Sequence, residues 1–549
     1  MRVARQAASK AQTLFRRGAG LHGAGRLGPA VAAYQATVLL APDHAAALNN
    51  LAAALGALGR HPEAVAVWER LARLQPSDAG AAAGLGGALL AAGRPAEALQ
   101  PLAAAAGRHP ADPRLPRLLA RVLLALHLPG PAIGALYAAL ELRPDDAGLL
   151  FELAAALLGH GQAGQALPHA QSAARLQPSA PHATNLCCIL IDLGRHAEAL
   201  AVADACLCTH PGCAEALVNR AIALEAMGRL DAAEMAARDA VAAAPGNPVV
   251  QHHLAATLLA AGRLTPEAWG LYEARLRLPG VRPLPDNLRW DGDPLHGRTL
   301  LLHAEQGLGD TLQFARYVPQ VAATCGGRVL LAVQPALVRL LQGMPGADAV
   351  VAAGGALPPF DVMLPLLSLP GVCGTTAGSI PPPLPYVPRG PRAPGPLRVG
   401  LAWAGGAAFA DDRHRSLPPA ALAALDGLPG VQFFALQLGA DAMPLGLAVQ
   451  DLMAGVQDFA DTAERMAGLD LVIAADTAVA HLAAGLGLPV WLLSRHRGCW
   501  RWGYGRADSP WYPTLRIFRQ SQPGDWGAVL LDVRAALACV VETDDAAGR

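Results

Sequence analysis

The sequence predicts a multidomain protein, an all-α solenoid followed by an α/β region of two lobes, and three observations predict it. Prolines recur about every 34 residues through the first half, glycines keep the same interval, and after Leu278 both patterns stop and short apolar runs begin. At 549 residues the chain is too long for one core, which agrees with more than one domain.

The solenoid comes first. Prolines stand at Pro42, Pro76, Pro110, Pro144, Pro178, Pro211 and Pro245, spaced by 34 residues except for one interval of 33. A second series runs through Gly25, Gly59, Gly93, Gly161, Gly194, Gly228 and Gly262, and the slot at His127 lacks its glycine. Within each unit apolar residues recur at helical spacing on two stretches, for example 46–58 and 62–74. The glycine supplies a permissive backbone where the first helix ends, and the proline marks where the second cannot continue. Small alanines let helices cross closely, while Tyr34, Trp68 and Leu99 fill the gap to the next hairpin. This pattern resembles the tetratricopeptide repeat, a 34-residue helix–turn–helix, over residues 8–278. No unit buries its own apolar face, so stacked units share one core and form a groove that takes a protein partner. A spacer or dimerising role is the alternative.

Composition narrows the function classes. There are 43 basic and 43 acidic residues, which gives no electrostatic case for nucleic acid. Lys10 is the only lysine, so the positive charge is almost all Arg. Nine scattered cysteines suit a reducing compartment, and the spacing of Cys206, Cys208 and Cys213 is not that of a zinc finger. The first residues lack the apolar core of a secretory signal. The uncharged stretch from Val122 to Leu140 is broken by Pro129, Gly130 and Pro131 and fits the repeat period, so no membrane span is expected. The expected location is cytoplasmic.

Residues 279–298 form a breaker-rich linker that begins Pro279-Gly280-Val281-Arg282-Pro283. Beyond it, seven short apolar runs read as strands: 299–304, 328–333, 347–353, 397–403, 431–438, 469–475 and 489–493. Helical stretches between several of them argue a parallel sheet covered on both faces. The proline-rich segment 380–396 divides the region, giving two Rossmann-like lobes at 299–396 and 397–542. Ligands in such sheets bind beyond the carboxyl ends of the strands, so the chemistry belongs in the loops that follow them.

Four such segments carry candidates. His303-Ala304-Glu305-Gln306-Gly307-Leu308-Gly309-Asp310 follows the opening strand; Gly307 and Gly309 permit close backbone approach, and Asp310 is either a helix cap or a base for an acceptor hydroxyl. Asp476-Thr477-Ala478-Val479-Ala480-His481 opens a helix whose free N–H groups favour a phosphate, with Thr477 and His481 on one face and Asp476 in a supporting role. His481 reads equally as a packed core histidine. The loop Gly405-Gly406 to Asp411-Asp412-Arg413-His414-Arg415-Ser416 is either a basic loop facing a leaving diphosphate or a solvated turn. The stretch from Trp500 to Thr514, with Arg501 and Arg506, holds three of nine tryptophans; it is either a platform whose rings stack on bases and sugars and whose arginines pair with phosphates, or a packed lid.

In this order, the Gly-Leu-Gly-Asp and Asp-Thr-Ala-Val-Ala-His motifs resemble the heptosyltransferase-type glycosyltransferases of the GT-B fold. Joined to the repeats and to Ser-Pro-Trp-Tyr-Pro-Thr, they look like bacterial tetratricopeptide–glycosyltransferase fusions. The resemblance covers roughly Trp290 to Leu537. It implies a metal- and cofactor-independent, inverting glycosyltransferase that uses a nucleotide-sugar donor. Asp310 falls on the family's general base, and Asp476, Thr477 and His481 fall on its donor-diphosphate loop. Arg415 lies near the family's donor-neutralising lysine, which is absent here. The acceptor is a protein or a glycan; a protein presented by the repeats matches the O-linked N-acetylglucosamine transferases, which pair these repeats with the same fold. The alternative is a non-catalytic adaptor with a degenerate transferase domain.

Overall fold

The computed structural model describes residues 2–281, 285–384, 395–406, 412–438 and 443–547. Parts of the expected linker (282–284), the proline-rich segment (385–394) and the basic loop, with Asp411, lie outside the described residues. The chain forms two compact units, Met1–Cys206 and Leu207–Arg549.

The first unit is helical throughout. Helices of 13 and 14 residues alternate, as in Ala45–Ala57, His61–Leu74, Ala79–Ala91 and Pro95–Arg108. The two sequence series mark the joints: Pro42, Pro76, Pro110 and Pro144 each stand two residues after the end of a second helix. Gly25, Gly59, Gly93, Gly161 and Gly194 all turn the chain at φ between 72° and 78°, where a side chain is strained. At the slot without a glycine, His127 adopts the same left-handed conformation, with φ 58°.

Packing explains the composition. Tyr34 is fully buried, and Trp68 and Leu102 sit in the same apolar core as Leu48, Leu55 and Leu85. Each large side chain faces a position that must stay small: a Cβ on Gly84 would lie 2.4 Å from the Trp68 ring, and one on Gly86 would lie 2.5 Å from Leu102. Leu102, rather than the expected Leu99, fills that gap, because Leu99 stays at the rim. Arg60–Glu63, Arg94–Glu97 and Arg195–Glu198 repeat one exposed ion pair at the start of three of the second helices, 2.6–2.7 Å long.

The second unit opens with repeat helices Ala214–Ala226, Leu230–Ala243, Pro248–Ala260 and Pro266–Tyr272. Two parallel sheets follow. The first has the order β3-β2-β1-β4, with β1 Thr299–His303, β2 Arg328–Val333, β3 Ala349–Ala352 and β4 Val362–Pro365. The second has the order β10-β9-β8-β5-β6-β7, with β5 Leu397–Ala402, β6 Val431–Ala435, β7 Val449–Asp451, β8 Leu471–Ala475, β9 Val490–Ser494 and β10 Leu515–Arg519. The central strands are buried residue by residue, as strands covered on both faces must be.

The last repeats join the sheets through polar contacts as well as packing. Tyr504 N–H donates to the Ala260 carbonyl at 3.1 Å, and Trp269 Nε1 donates to the Thr375 carbonyl at 2.8 Å. Nε2 of His496 is hydrogen-bonded to the Ala226 carbonyl at 3.0 Å. Buried Arg275 pairs with Glu305 at 2.6 Å and donates to Ser368 Oγ at 2.8 Å. Among the described residues no helix is long and apolar enough to cross a membrane.

Candidate functional site

In both sheets the strand order reverses at a strand whose following loop carries a candidate motif. The first sheet reverses between β1 and β4, the second between β5 and β8. A reversal opens a crevice at the carboxyl ends, because the two connections leave in opposite directions. The loops after β1, β5 and β8 carry Gly307–Asp310, then Gly405, Gly406 and Arg415, then Asp476, Thr477 and His481, and these residues line one cavity of about 1020 Å³.

After β1, Gly307 caps the helix Leu308–Phe314, and the Asp310 carboxylate accepts the Gly307 N–H at 2.9 Å. Asp310 thus holds the third helical position and reaches back to the cap, rather than being the cap itself. Its other oxygen pairs with Arg501. Gly309 serves close packing between helices: a Cβ there would lie 2.6 Å from His481 Cδ2 and 3.4 Å from Ala478 Cα.

After β8, Thr477 is the N-cap of the helix Ala478–Gly485, yet its side chain caps nothing, and its Oγ1 is buried without a hydrogen-bond partner. Half-buried Asp476 has its carboxyl pushed up by burial, against the pull of Arg501, Arg495 and Arg415. His481 is 5% exposed; its Nδ1 is hydrogen-bonded to the Tyr512 hydroxyl at 2.9 Å, and its ring lies 5.1 Å from that of Trp502. Burial, then Arg501 and Arg316, lower its pKa to about 3, so it is a neutral group at physiological pH. It brings polarity to the cavity wall but no positive charge.

After β5, Arg415 donates to the Asp476 carbonyl at 3.2 Å and pairs with Asp412 at 2.8 Å. That pair crosses the backbone where a Gly405 side chain would stand, with Arg415 Nη2 only 2.2 Å from the position of a Cβ. Ser416 Oγ accepts the Gly405 N–H at 3.0 Å and donates to Asp412 at 2.8 Å, which ties Gly405 to the helix Asp412–Arg415.

The aromatic stretch is mostly structural. Trp502, Trp511 and Tyr512 are buried to 2% exposure or less and pack against His481 and Phe314, whereas Trp500 and Tyr504 reach the cavity. Sequence reasoning left Arg495, Arg497, Glu225 and His253 out of the site, and all four line it beside Arg501 of the aromatic stretch. Glu225 and His253 come from repeat helices and bear no local signal of a site. Their side chains stand 3.9 Å apart; burial raises the Glu225 pKa and lowers that of His253 to about 3.

Residues 15–67, 54–113 and 186–248 match the tetratricopeptide repeat family, so these parts of the chain are tetratricopeptide repeats. Protein FlbA of Caulobacter vibrioides is 29% identical over 398 residues, which are 64% of this chain and 65% of that protein. The match therefore spans less than two thirds of the relative's length. Among solved structures, MamA from Desulfovibrio magneticus RS-1 aligns with 30% of this chain and 94% of its own, at 22% identity and a TM-score of 0.29. YrrB, described as a TPR protein with an unusual peptide-binding site, aligns over 31% and 87% at 19% identity and 0.28. A tetratricopeptide repeat protein from Parabacteroides merdae aligns over 46% and 99% at 15% identity and 0.37.

Proposed function

We propose that the α/β region is a two-lobed transferase of the GT-B kind, which moves a sugar from a nucleotide-sugar donor to an acceptor hydroxyl. The observation that carries this reading is the convergence of three loops, each following a strand at a reversal of sheet order, on one cavity whose wall bears Arg415, Arg495, Arg497 and Arg501. Such a wall suits a diphosphate. The start of the Ala478 helix adds backbone N–H groups, and the unpartnered Thr477 hydroxyl adds a donor. In the reaction the acceptor oxygen bonds to the anomeric carbon as the bond to the diphosphate breaks, and Asp310 takes the acceptor proton. The repeats carry a protein partner, which on this reading presents the acceptor.

One observation favours the adaptor reading: both Asp310 oxygens are engaged, one by Gly307 and one by Arg501. Calorimetric titration with UDP, GDP, CDP and ADP and their sugars, followed by assay for sugar transfer, separates the two. Nucleotide binding by the wild type, with sugar transfer that Asp310→Ala abolishes while nucleotide affinity is kept or raised, supports the enzyme. Binding without turnover in the wild type leaves the adaptor.

A further inference from the structure

Arg501 is unusually buried for a residue whose donors are so poorly served. Its side chain is 9% exposed, Nη1 donates to Cys499 Sγ at 3.1 Å, Nη2 meets only the one Asp310 oxygen, and Nε makes no hydrogen bond. A thiol sulfur is a weak acceptor, and a guanidinium carries five N–H groups. Asp310 supplies a counter-charge at Nη2, but not the forked pairing that a carboxylate and a guanidinium can form. The guanidinium carbon lies 4.6 Å from the centroid of Trp500 and 5.7 Å from that of Phe314, so rings hold its faces and leave its edge for acceptors. Buried donors without acceptors are costly, and sites that keep them are commonly completed by a ligand. Thr477 Oγ1, on the wall of the same cavity, is orphaned in the same way. Arg501 is also close enough for its charge to act on Asp476 and His481, at the start and on the second turn of the Thr477 helix.

We propose that Arg501 is a phosphate-binding residue of the donor site, held in waiting by Asp310. When a diphosphate enters, its oxygens take the guanidinium edge and the Asp310 carboxylate is released toward the acceptor. Donor binding thereby unmasks the base. The inference rests on the transferase reading of the cavity and adds a residue and an order of events to it.

The test titrates the full chain with UDP, GDP, CDP, ADP and inorganic pyrophosphate. Asp310→Asn keeps an oxygen for the Gly307 N–H and removes the competing charge, so the best probe should bind at least about threefold more tightly than to wild type. Arg501→Gln should weaken it about tenfold or more, and Arg501→Lys by less, since charge is kept but the fork is lost. Circular dichroism verifies folding; if Arg501→Gln does not fold, Asp310→Asn decides. Wild-type affinity in a folded Arg501→Gln, or no gain in Asp310→Asn, overturns the proposal while nucleotide binding by wild type leaves the transferase reading intact. Failure of wild type and Asp310→Asn to bind any probe removes both. The predicted affinities without sugar transfer from any nucleotide sugar keep the site and remove the enzyme.

Discussion

Gly309 and His481 are in such close contact that the glycine cannot be replaced without moving the histidine: a Cβ on Gly309 would stand 2.6 Å from Cδ2 and 3.2 Å from Nε2. His481 has nowhere to go, because Tyr512 holds its Nδ1 and Trp502 covers its ring. Gly309→Ala should therefore destabilise the second unit by about 1–3 kcal/mol, the usual cost of overpacking. Urea unfolding with an unchanged midpoint would refute this contact.

His127 occupies a backbone conformation that seven other repeats give to glycine. For a residue with a Cβ that conformation costs about 1–2 kcal/mol, partly offset by the smaller entropy loss of a non-glycine residue on folding. His127→Gly should accordingly stabilise the first unit by about 0.5–1 kcal/mol. Gly59→Ala, made at the equivalent joint, should lower stability by about 1–2 kcal/mol. Thermal melts of the two variants should move in opposite directions, and movement in the same direction sinks the argument.

Thr477 offers a test in which stability and affinity part company. Its hydroxyl is buried without a partner and caps nothing, so Thr477→Val removes a desolvated group and should leave stability unchanged or raise it by about 1 kcal/mol. If that hydroxyl binds a phosphate, nucleoside diphosphate affinity should fall about threefold to tenfold. Equal affinity in the two proteins would take Thr477 out of the site.

Acid should act through buried histidines. His253 and His481 both have pKa values lowered to about 3, by burial first, from an ordinary 6.5. A histidine depressed in the folded state stabilises fully above its unfolded pKa, and that stability is lost as pH falls from about 6.5 toward about 3, by about 1.4 kcal/mol per unit for each residue. Glu225 has the opposite sign: burial raises its pKa, so stability is lost as pH rises through its folded value. Urea midpoints measured from pH 7.5 to 4.5 should fall more gently in His253→Gln than in wild type. At neutral pH Glu225→Gln should be the less destabilised partner of a Glu225→Gln, His253→Gln pair.

The repeats were legible because one constraint recurs: a left-handed joint and a proline stop appear at fixed intervals and need no knowledge of distant contacts. The seven expected strands are all present, since each is an apolar run long enough to cross a sheet. Three were not foreseen. Val362–Pro365 ends in a proline, Val449–Asp451 has three residues, and Leu515–Arg519 has arginine at two of its five positions directly after an aromatic stretch. The loops bearing Asp310, Arg415 and Thr477 were found because strand ends announce themselves. The engagement of Asp310 by Arg501 was not, because 191 positions separate the two and only the folded chain brings them together. Glu225 and His253 were hidden for a related reason: the repeat pattern accounts for their helices completely and leaves no local sign of a second role.

The hydrogen bonds from Tyr504 to Ala260 and between His496 and Ala226 carry a consequence for heredity. A recombination joint placed at the visible change of text after Leu278 would hand on the sheets without the helices that wall their cavity, leaving Tyr504 and His496 without their acceptors. A segment that keeps these contacts has to carry the helices Ala214–Ala226 and Pro248–Ala260 together with the sheets.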